Sequence, residues 1–244
     1  MKVILNGACG RMGAEVRRLL ESGEDGVELV AAVDASGADG VYSSLEEYTG
    51  DADMIIDFSH RSATKALTEY AVRRGLPIVL ATTGQSEGEM AMIQRAAASV
   101  PIFFSANMSV GIATLIRTAK TVAALYPDAD IEIVEKHHNR KLDAPSGTAL
   151  MIARALTAIR KSASFLYGRG GQKKREKNEI GIHAIRMGNI VGEHEVIIGT
   201  DTETITLRHE AHSRSLFAEG AIAAANFLIG RPSGLYAMSD LVGE

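Results

Sequence analysis

Through the N-terminal part of the chain, short apolar runs alternate with amphipathic stretches. The runs are Val3-Ile4-Leu5, residues 27–33, Met54-Ile55-Ile56, Ile78-Val79-Leu80 and Ile102-Phe103-Phe104. Continuous apolar runs bounded by turn residues fit strands buried on both faces, and right-handed crossovers between them build a doubly wound parallel sheet of four or five strands. Between the first two runs, Met12, Val16, Leu19 and Leu20 recur at helical spacing, with Arg11, Glu15, Arg17 and Arg18 elsewhere on the wheel. That stripe predicts a helix starting near Arg11. Ser62 precedes a second helical pattern that stops at Gly75, and Ser86-Glu87-Gly88-Glu89 is a capping box ahead of a third.

After Asn107 the rhythm changes. A long helical pattern over 110–126 leads into residues 130–135, where apolar and polar positions alternate with period two. A helix from about 148 to 160 and a polar, basic loop over 168–178 come next. The strand-like segments 182–186, 195–199 and 204–208 then suit a mixed or antiparallel sheet open on one face. The last helical pattern, 215–229, is Ala-rich and apolar nearly all round, which predicts a buried helix that returns to pack on the first domain.

The loop after the first run reads Gly7-Ala8-Cys9-Gly10-Arg11-Met12-Gly13 and opens the first helix. Glycines there let a pyrophosphate approach backbone N–H groups at a helix N-terminus, and the last one lets helix and strand pack closely. The spacing is G-x-x-G-x-x-G, one position off the usual dinucleotide fingerprint. Asp34, 21 residues beyond Gly13, ends the second run, where a carboxylate can bind adenine-ribose hydroxyls. Ala35, Ser36 and Gly37 follow without a cation for a 2′-phosphate, which favours NADH over NADPH; Arg11 could still reach such a phosphate, so dual use stays open. The expected architecture is α/β: a Rossmann-like dinucleotide-binding domain from 1–109 and 215–244, and a smaller α+β domain with an open mixed sheet from 110–214.

Composition narrows the function. The 244 residues are 46% hydrophobic and 23% charged with a formal charge of −4, ordinary globular values that offer no basic envelope for nucleic acid. A single cysteine, Cys9, excludes an intrachain disulfide and a multi-thiolate metal site, and without a resolving partner it reads as a small residue that fits its turn. No apolar run approaches the ~20 residues that cross a bilayer, so no membrane partner and a cytoplasmic location are expected.

The densest ionisable cluster is the stretch 135–148, Glu-Lys-His-His-Asn-Arg-Lys-Leu-Asp-Ala-Pro-Ser-Gly-Thr, set between a strand and a helix. Cations in an acidic protein, followed by the donor-rich Ser146-Gly147-Thr148 turn at a helix start, suit an anionic ligand such as a dicarboxylate. Histidine moves protons near neutral pH, and a lysine crowded by cations has a labile proton. A solvated, capped loop is the plainer alternative. Zinc is disfavoured, because adjacent His137 and His138 point opposite ways on an extended chain and lack partners. His60, His183, His194, His209 and His212 read as scattered, satisfied polar residues, and Lys173-Lys174-Arg175 as a solvated run.

Nearly end to end, the chain resembles the 4-hydroxy-tetrahydrodipicolinate (dihydrodipicolinate) reductases of bacterial lysine and diaminopimelate biosynthesis. The resemblance rests on 7–13, Asp57-Phe58-Ser59, Ala81-Thr82-Thr83-Gly84, residues 105–111, residues 135–148 and Ile190-Val191-Gly192-Glu193-His194, with 137–149 the most specific. It implies an oxidoreductase that adds hydride from NADH or NADPH to the dehydrated form of 4-hydroxy-tetrahydrodipicolinate, a small cyclic dicarboxylate, and a proton at the neighbouring carbon. By resemblance His137 is a proton donor/acceptor, Lys141 the second proton donor, and His138, Gly147 and Thr148 contact substrate carboxylates. Gly7, Ala8, Cys9, Gly10, Arg11, Met12 and Asp34 match the cofactor's pyrophosphate and ribose sites. Ala81, Thr82, Thr83, Ser105, Ala106, Asn107 and Met108 match segments beside the nicotinamide. A homotetramer built through the open sheet and a hinge at 109–111 and near 215 are implied as well. The chain departs from the family pattern at Ala35 (often Arg in NADPH users), at Met108 (commonly Phe) and at Arg169-Gly170-Gly171 (usually Arg-Glu-Gly). A dehydrogenase of the aspartate or homoserine type and a nicotinamide sensor without turnover are the competing readings.

Overall fold

In the computed structural model, which describes residues 1–22 and 26–243, the chain forms two units: 1–109 with 214–243, and 110–213. The first is built on β1 (Lys2–Asn6), α1 (Arg11–Ser22), β2 (Glu28–Val33), β3 (Met54–Asp57), α2 (Thr64–Arg74), β4 (Ile78–Leu80), α3 (Glu87–Ala97) and β5 (Pro101–Phe104). Its sheet is parallel throughout in the order β11-β5-β4-β3-β1-β2. The sixth strand, β11 (Gly234–Tyr236), lies outside the apolar runs legible in the sequence. It is a three-residue edge strand whose pattern is too short to stand out.

The strands are apolar for the expected reason. Ile4, Ile55, Ile78, Leu80 and Ile102 are buried together with Leu67 and Tyr70 of α2 and Ile93 of α3. Gly75 ends α2 in the left-handed conformation (φ 65°), and Ser86 with Glu89 closes the capping box of α3, so both signals act as their chemistry dictates. The returning helix α6 (Ser215–Leu228) packs on α1 and β5. Its small residues matter: a Cβ on Gly220 would lie 1.7 Å from the Met108 carbonyl oxygen, so the helix backbone rests directly on the segment after β5. The short helix α7 (Met238–Leu241) ends this unit.

The second unit holds α4 (Val110–Leu125), β6 (Asp130–His137), α5 (Gly147–Leu156), β7 (Ser164–Tyr167), β8 (Glu179–Arg186), β9 (Gly192–Gly199) and β10 (Thr204–Ala211). The sheet order β10-β9-β6-β8-β7 is mixed, parallel across β6, β8 and β7 and antiparallel across β6, β9 and β10. Period-two alternation in β6 and β9 sends Ile131, Ile133, Val196 and Ile198 into a core with Ile112, Leu115 and Ala119 of α4 and Ile152 and Leu156 of α5. The α5 helix stops at Leu156, four residues before the sequence pattern suggests. Another face of the sheet carries ion pairs that join Lys136 to Glu193 and Glu195 and Arg208 to Glu193, Glu195 and Glu210.

In the basic loop Lys173 and Lys174 are solvent-exposed, as a solvated run would have them, but Arg175 is not. Arg175 contacts Asp130 at 2.8 Å and Glu132 at 3.2 Å, Lys173 contacts Glu176, and Arg169 pairs with Glu179. Carboxylates of β6 and β8 therefore hold its two arginines, Arg169 and Arg175, which makes the loop a brace for the β7-β8 side of the sheet.

Candidate active site

In the first unit β1 delivers the chain to Gly7, whose φ of +81° disfavours any side chain; a Cβ there would meet backbone atoms of Phe58 and Ser59 at 2.6 Å. Gly13 is equally constrained, because a Cβ would lie 2.0 Å from the Gly7 carbonyl oxygen. Gly10 differs. Its nearest neighbour would be 3.4 Å away, so packing does not demand glycine there, and bare backbone beside a helix start is what a phosphate needs. The amides of Gly7 and Ala8 both donate to the Val33 carbonyl and that of Gly10 to the Gly7 carbonyl. Those of Arg11, Met12 and Gly13 lie in the first turn of α1, where amides lack intrahelical acceptors.

Asp34 braces the same turn. Its carboxylate accepts the Ser36 amide at 2.9 Å and the Cys9 amide at 3.0 Å, and the Ser36 bond above all holds it below the usual carboxylate range. A cleft of about 430 Å³ opens beside it, lined by Gly7, Gly10, Asp34, Ala35, Phe58 and His60 among others. Glu46 is the second acid on its wall, and no lysine or arginine lines it among the described residues. The chain here fits a dinucleotide: bare backbone at the helix start, an acid for ribose hydroxyls, and no cation in the cleft for an extra phosphate.

The remaining segments expected beside the nicotinamide lie at the C-terminal ends of β4 and β5. Thr83 and Ala106 are exposed, whereas Ala81, Thr82 and Met108 are buried. Ser105 Oγ donates to the Asn107 carbonyl at 2.7 Å and Asn107 Oδ1 accepts the Ser109 amide at 2.9 Å, which stiffens this connection. Thr82 leads to a residue that the pattern of site residues overlooked. Its hydroxyl donates to Asp57 Oδ2 at 2.6 Å, while Asp57 Oδ1 accepts Asn6 Nδ2 at 2.7 Å and Ser59 Oγ at 2.6 Å. Asp57 is 1% exposed, and burial pushes its pKa up against those three donors. It fastens together the ends of β1, β3 and β4.

In the second unit the stretch 135–148 folds as the end of β6, a loop, and the start of α5. Ser146 caps α5 by accepting the Ala149 amide, so Gly147 and Thr148 occupy its first turn, an anion-friendly position. Glu135 is fully buried. Its Oε2 lies 2.6 Å from His137 Nδ1, its Oε1 accepts the Ser146 amide at 2.9 Å, and Arg186 bridges both oxygens at 2.7 and 2.8 Å. Burial alone would raise the Glu135 pKa; the bonds from His137, Arg186 and Ser146 outweigh it and hold the group at about 2.

Lys141 sits 3.0 Å from Asp143 and lowers that carboxyl's pKa, while Arg186 also donates to the Asp143 carbonyl at 2.6 Å. His194 is not a scattered residue. Its ring stands edge-on to that of His137 at 5.2 Å, and Nε2 lies 3.2 Å from Ser146 Oγ. Burial, reinforced by His137, drives its pKa down to about 3, so this imidazole is neutral at physiological pH. His138 is half-buried, its amide bonded to the Ile190 carbonyl, and Lys141 donates its amide to the His138 carbonyl. The second unit thus carries His137, His138, Lys141, Gly147 and Thr148 along one strand-loop-helix stretch and sets Glu135, Arg186 and His194 around His137 and Ser146. The motif 190–194 flagged the neighbourhood of His194, but only strand pairing could give Arg186 or His194 its place: register sets Arg186 opposite His137 and His194 opposite Glu135.

A glycine turn between a parallel strand and its helix, with an acid ending the next strand, defines a nucleotide-binding unit of the Rossmann class, the class of dinucleotide-dependent oxidoreductases. The family models described as dihydrodipicolinate reductase, N-terminus and C-terminus, match residues 1–108 and 111–242. Named relatives are the 4-hydroxy-tetrahydrodipicolinate reductases of Caldanaerobacter subterraneus subsp. tengcongensis, 47% identical over 99% of this chain and 98% of the relative, and of Clostridium novyi, 44% identical with the same coverage. The chain belongs to the dihydrodipicolinate reductase family. Its fold is similar to that of a dipicolinate-bound dihydrodipicolinate reductase from Paenisporosarcina sp. TG-14, with a TM-score of 0.81, 23% identity and 97% of both chains covered. A DAP dehydrogenase of C. glutamicum has a TM-score of 0.58 at 14% identity, covering 98% of this chain and 92% of that one. Both structural likenesses bear on the fold alone. No helix among the described residues is long and apolar enough to cross a membrane.

Proposed function

We propose that this protein is a 4-hydroxy-tetrahydrodipicolinate reductase that reduces the dehydrated form of its substrate to tetrahydrodipicolinate in lysine and diaminopimelate biosynthesis, with NADH preferred over NADPH. The observation that carries the reading is the loop from β6 to α5. It sets a carboxylate-bound imidazole, an ammonium and a donor-rich helix start within one continuous stretch, as reduction of a dicarboxylate requires.

The first unit is the dinucleotide domain. Gly7, Ala8 and Cys9 shape the turn; Gly10, Arg11 and Met12 meet the pyrophosphate; Asp34 takes the ribose. Thr82 and Thr83, with Ala81, and residues 105–108 border the nicotinamide, which supplies the hydride when bound. Asp34, with Ala35 and no cation beside it among the described residues, makes the cleft inhospitable to a 2′-phosphate.

The second unit is the substrate and assembly domain. His138 and the α5 start at Gly147 and Thr148 hold the carboxylates, which orients the ring carbons. Lys141 delivers the proton to the carbon beside the one that receives hydride, and His137 exchanges a proton at Nε2. The cationic loop also stabilises the electron density left when hydride arrives. The family resemblance supports a homotetramer built through the open sheet, and the setting is cytoplasmic.

The test is consumption of NADH, and separately of NADPH, with freshly made 4-hydroxy-tetrahydrodipicolinate. Turnover that Lys141→Ala loses, faster with NADH, is the expected result. NADH binding without turnover would instead point to another dehydrogenase substrate or to a sensor.

A further inference from the structure

The acid and base of the reaction are supported by one guanidinium that no reading of the loop alone would include. Arg186 Nη1 and Nη2 bridge the two oxygens of Glu135, and Nη2 also donates to the carbonyl of Asp143, whose carboxylate pairs with Lys141. One branch therefore ends on His137 and the other on Lys141. We propose that Glu135, locked by Arg186, is a positioning residue that keeps the His137 proton on Nδ1, so that Nε2 is the atom that exchanges protons with substrate, while Arg186 sets the place of Lys141 through Asp143. The proposal rests on the reductase reading for its kinetic consequences, not for its geometry.

Donor and acceptor counting fixes the tautomer. Oε1 accepts from Ser146 N–H and from Arg186, and Oε2 accepts from Arg186, so the carboxylate is an acceptor on every side. The remaining contact, at 2.6 Å, can then be a hydrogen bond only if His137 Nδ1 is the donor. At the other nitrogen, a Cβ on Gly192 would stand 3.1 Å from Nε2, so glycine at that position keeps side-chain atoms off it. When Nε2 gains a proton, the carboxylate behind Nδ1 stabilises the resulting cation, the role an aspartate plays behind a catalytic histidine in hydrolases. The neighbouring imidazole of His194 stays neutral and does not compete for that charge.

Glu135→Gln breaks this arrangement with the smallest change of shape. The Ser146 amide and Arg186 Nη2 both donate on the Oε1 side and keep the amide oxygen there, so the NH₂ group takes the Oε2 place, where it displaces the Arg186 Nη1 bond and faces His137 Nδ1, forcing the ring proton onto Nε2. In ¹⁵N-histidine-labelled protein at a pH where the ring is neutral, with the His137 signals assigned from their loss in His137→Gln, wild type should show Nδ1 protonated and Glu135→Gln should show Nε2 protonated. Turnover should fall by roughly 10²–10⁴, as for other misplaced catalytic tautomers, with KM for NADH unchanged. Arg186→Lys, which cannot bridge Glu135 and reach the Asp143 carbonyl together, should keep the wild-type tautomer and still lose turnover. Wild-type protein with the proton on Nε2 overturns the proposal without any variant. So does an unchanged tautomer, or near-normal turnover, in Glu135→Gln. If wild type shows no turnover with this substrate, the function is misread, and the ring-nitrogen signals still decide the tautomer.

Discussion

Asp57 and Glu135 are buried carboxylates near the C-terminal ends of strands, one in each unit, and their surroundings push them in opposite directions. Burial raises Asp57, although Asn6, Ser59 and Thr82 all donate to it. Burial would raise Glu135 too, yet His137, Arg186 and the Ser146 amide hold it at about 2. The difference lies in the charge of the donors. Neutral donors satisfy lone pairs but do not repay the lost solvation of an anion, whereas a bidentate guanidinium does both. A carboxylate among neutral donors ties strand ends together, and one paired with a cation can support proton transfer beside it.

The sharpest way to break the comparison is to remove the cation. Arg186→Met strands Glu135 in the core and should cost about 3–5 kcal/mol, read as a lower urea midpoint for the second unit. Acid should expose the same asymmetry almost as strongly. Glu135 has a folded pKa of about 2 against an ordinary 4.5, and His194 about 3 against 6.5. Both are depressed, so the stability they contribute is present above the ordinary values and is lost as pH falls. His194 is responsible between 6.5 and 3 and Glu135 between 4.5 and 2, with Glu135 alone worth on the order of 3 kcal/mol. Asp57 has the opposite sign: its contribution is present below 3.8 and is lost as pH rises through its raised folded value. A urea midpoint followed across pH should therefore fall steeply on the acid side, and protection of the second unit's amides should fail first.

Lys141→Ala should lower turnover by about 10² or more while leaving the urea midpoint near wild type, because this lysine pairs with a half-exposed Asp143 and not with a buried charge. In the glycine turn, Gly13→Ala should destabilise the first unit by about 1–3 kcal/mol through its clash with the Gly7 carbonyl. Gly10→Ala should keep the midpoint and weaken NADH binding, measured by fluorescence titration. Smallest of all, Asp57→Asn should change stability at pH 7 by less than about 1 kcal/mol, since its amide can donate to the Thr82 hydroxyl, which turns to accept. A large loss in that variant would show that Asp57 depends on its charge as Glu135 does.

Much of this was legible in one dimension because it is local. Buried parallel strands need continuous apolar runs, a glycine-rich turn needs its Cβ-free positions next to one another, and a helix cap needs Ser86 three residues before Glu89. Those requirements are met by neighbours in the chain, so the parallel sheet, the glycine turn between β1 and α1 and the caps of α3 and α5 could be read directly. The edge strands β7 and β11 could not, since a few half-exposed residues carry no period and form strands only because a neighbour offers hydrogen bonds. Nor could the state of the site. Arg186 reaches Glu135 across 51 positions, and His194 reaches Ser146 across 48, through the register of β6 with β8 and β9. The sequence by itself determined which groups are present and where the chain turns. Tertiary structure alone decided which of them are buried, which are paired and which carry charge, because desolvation and ion pairing depend on neighbours in space.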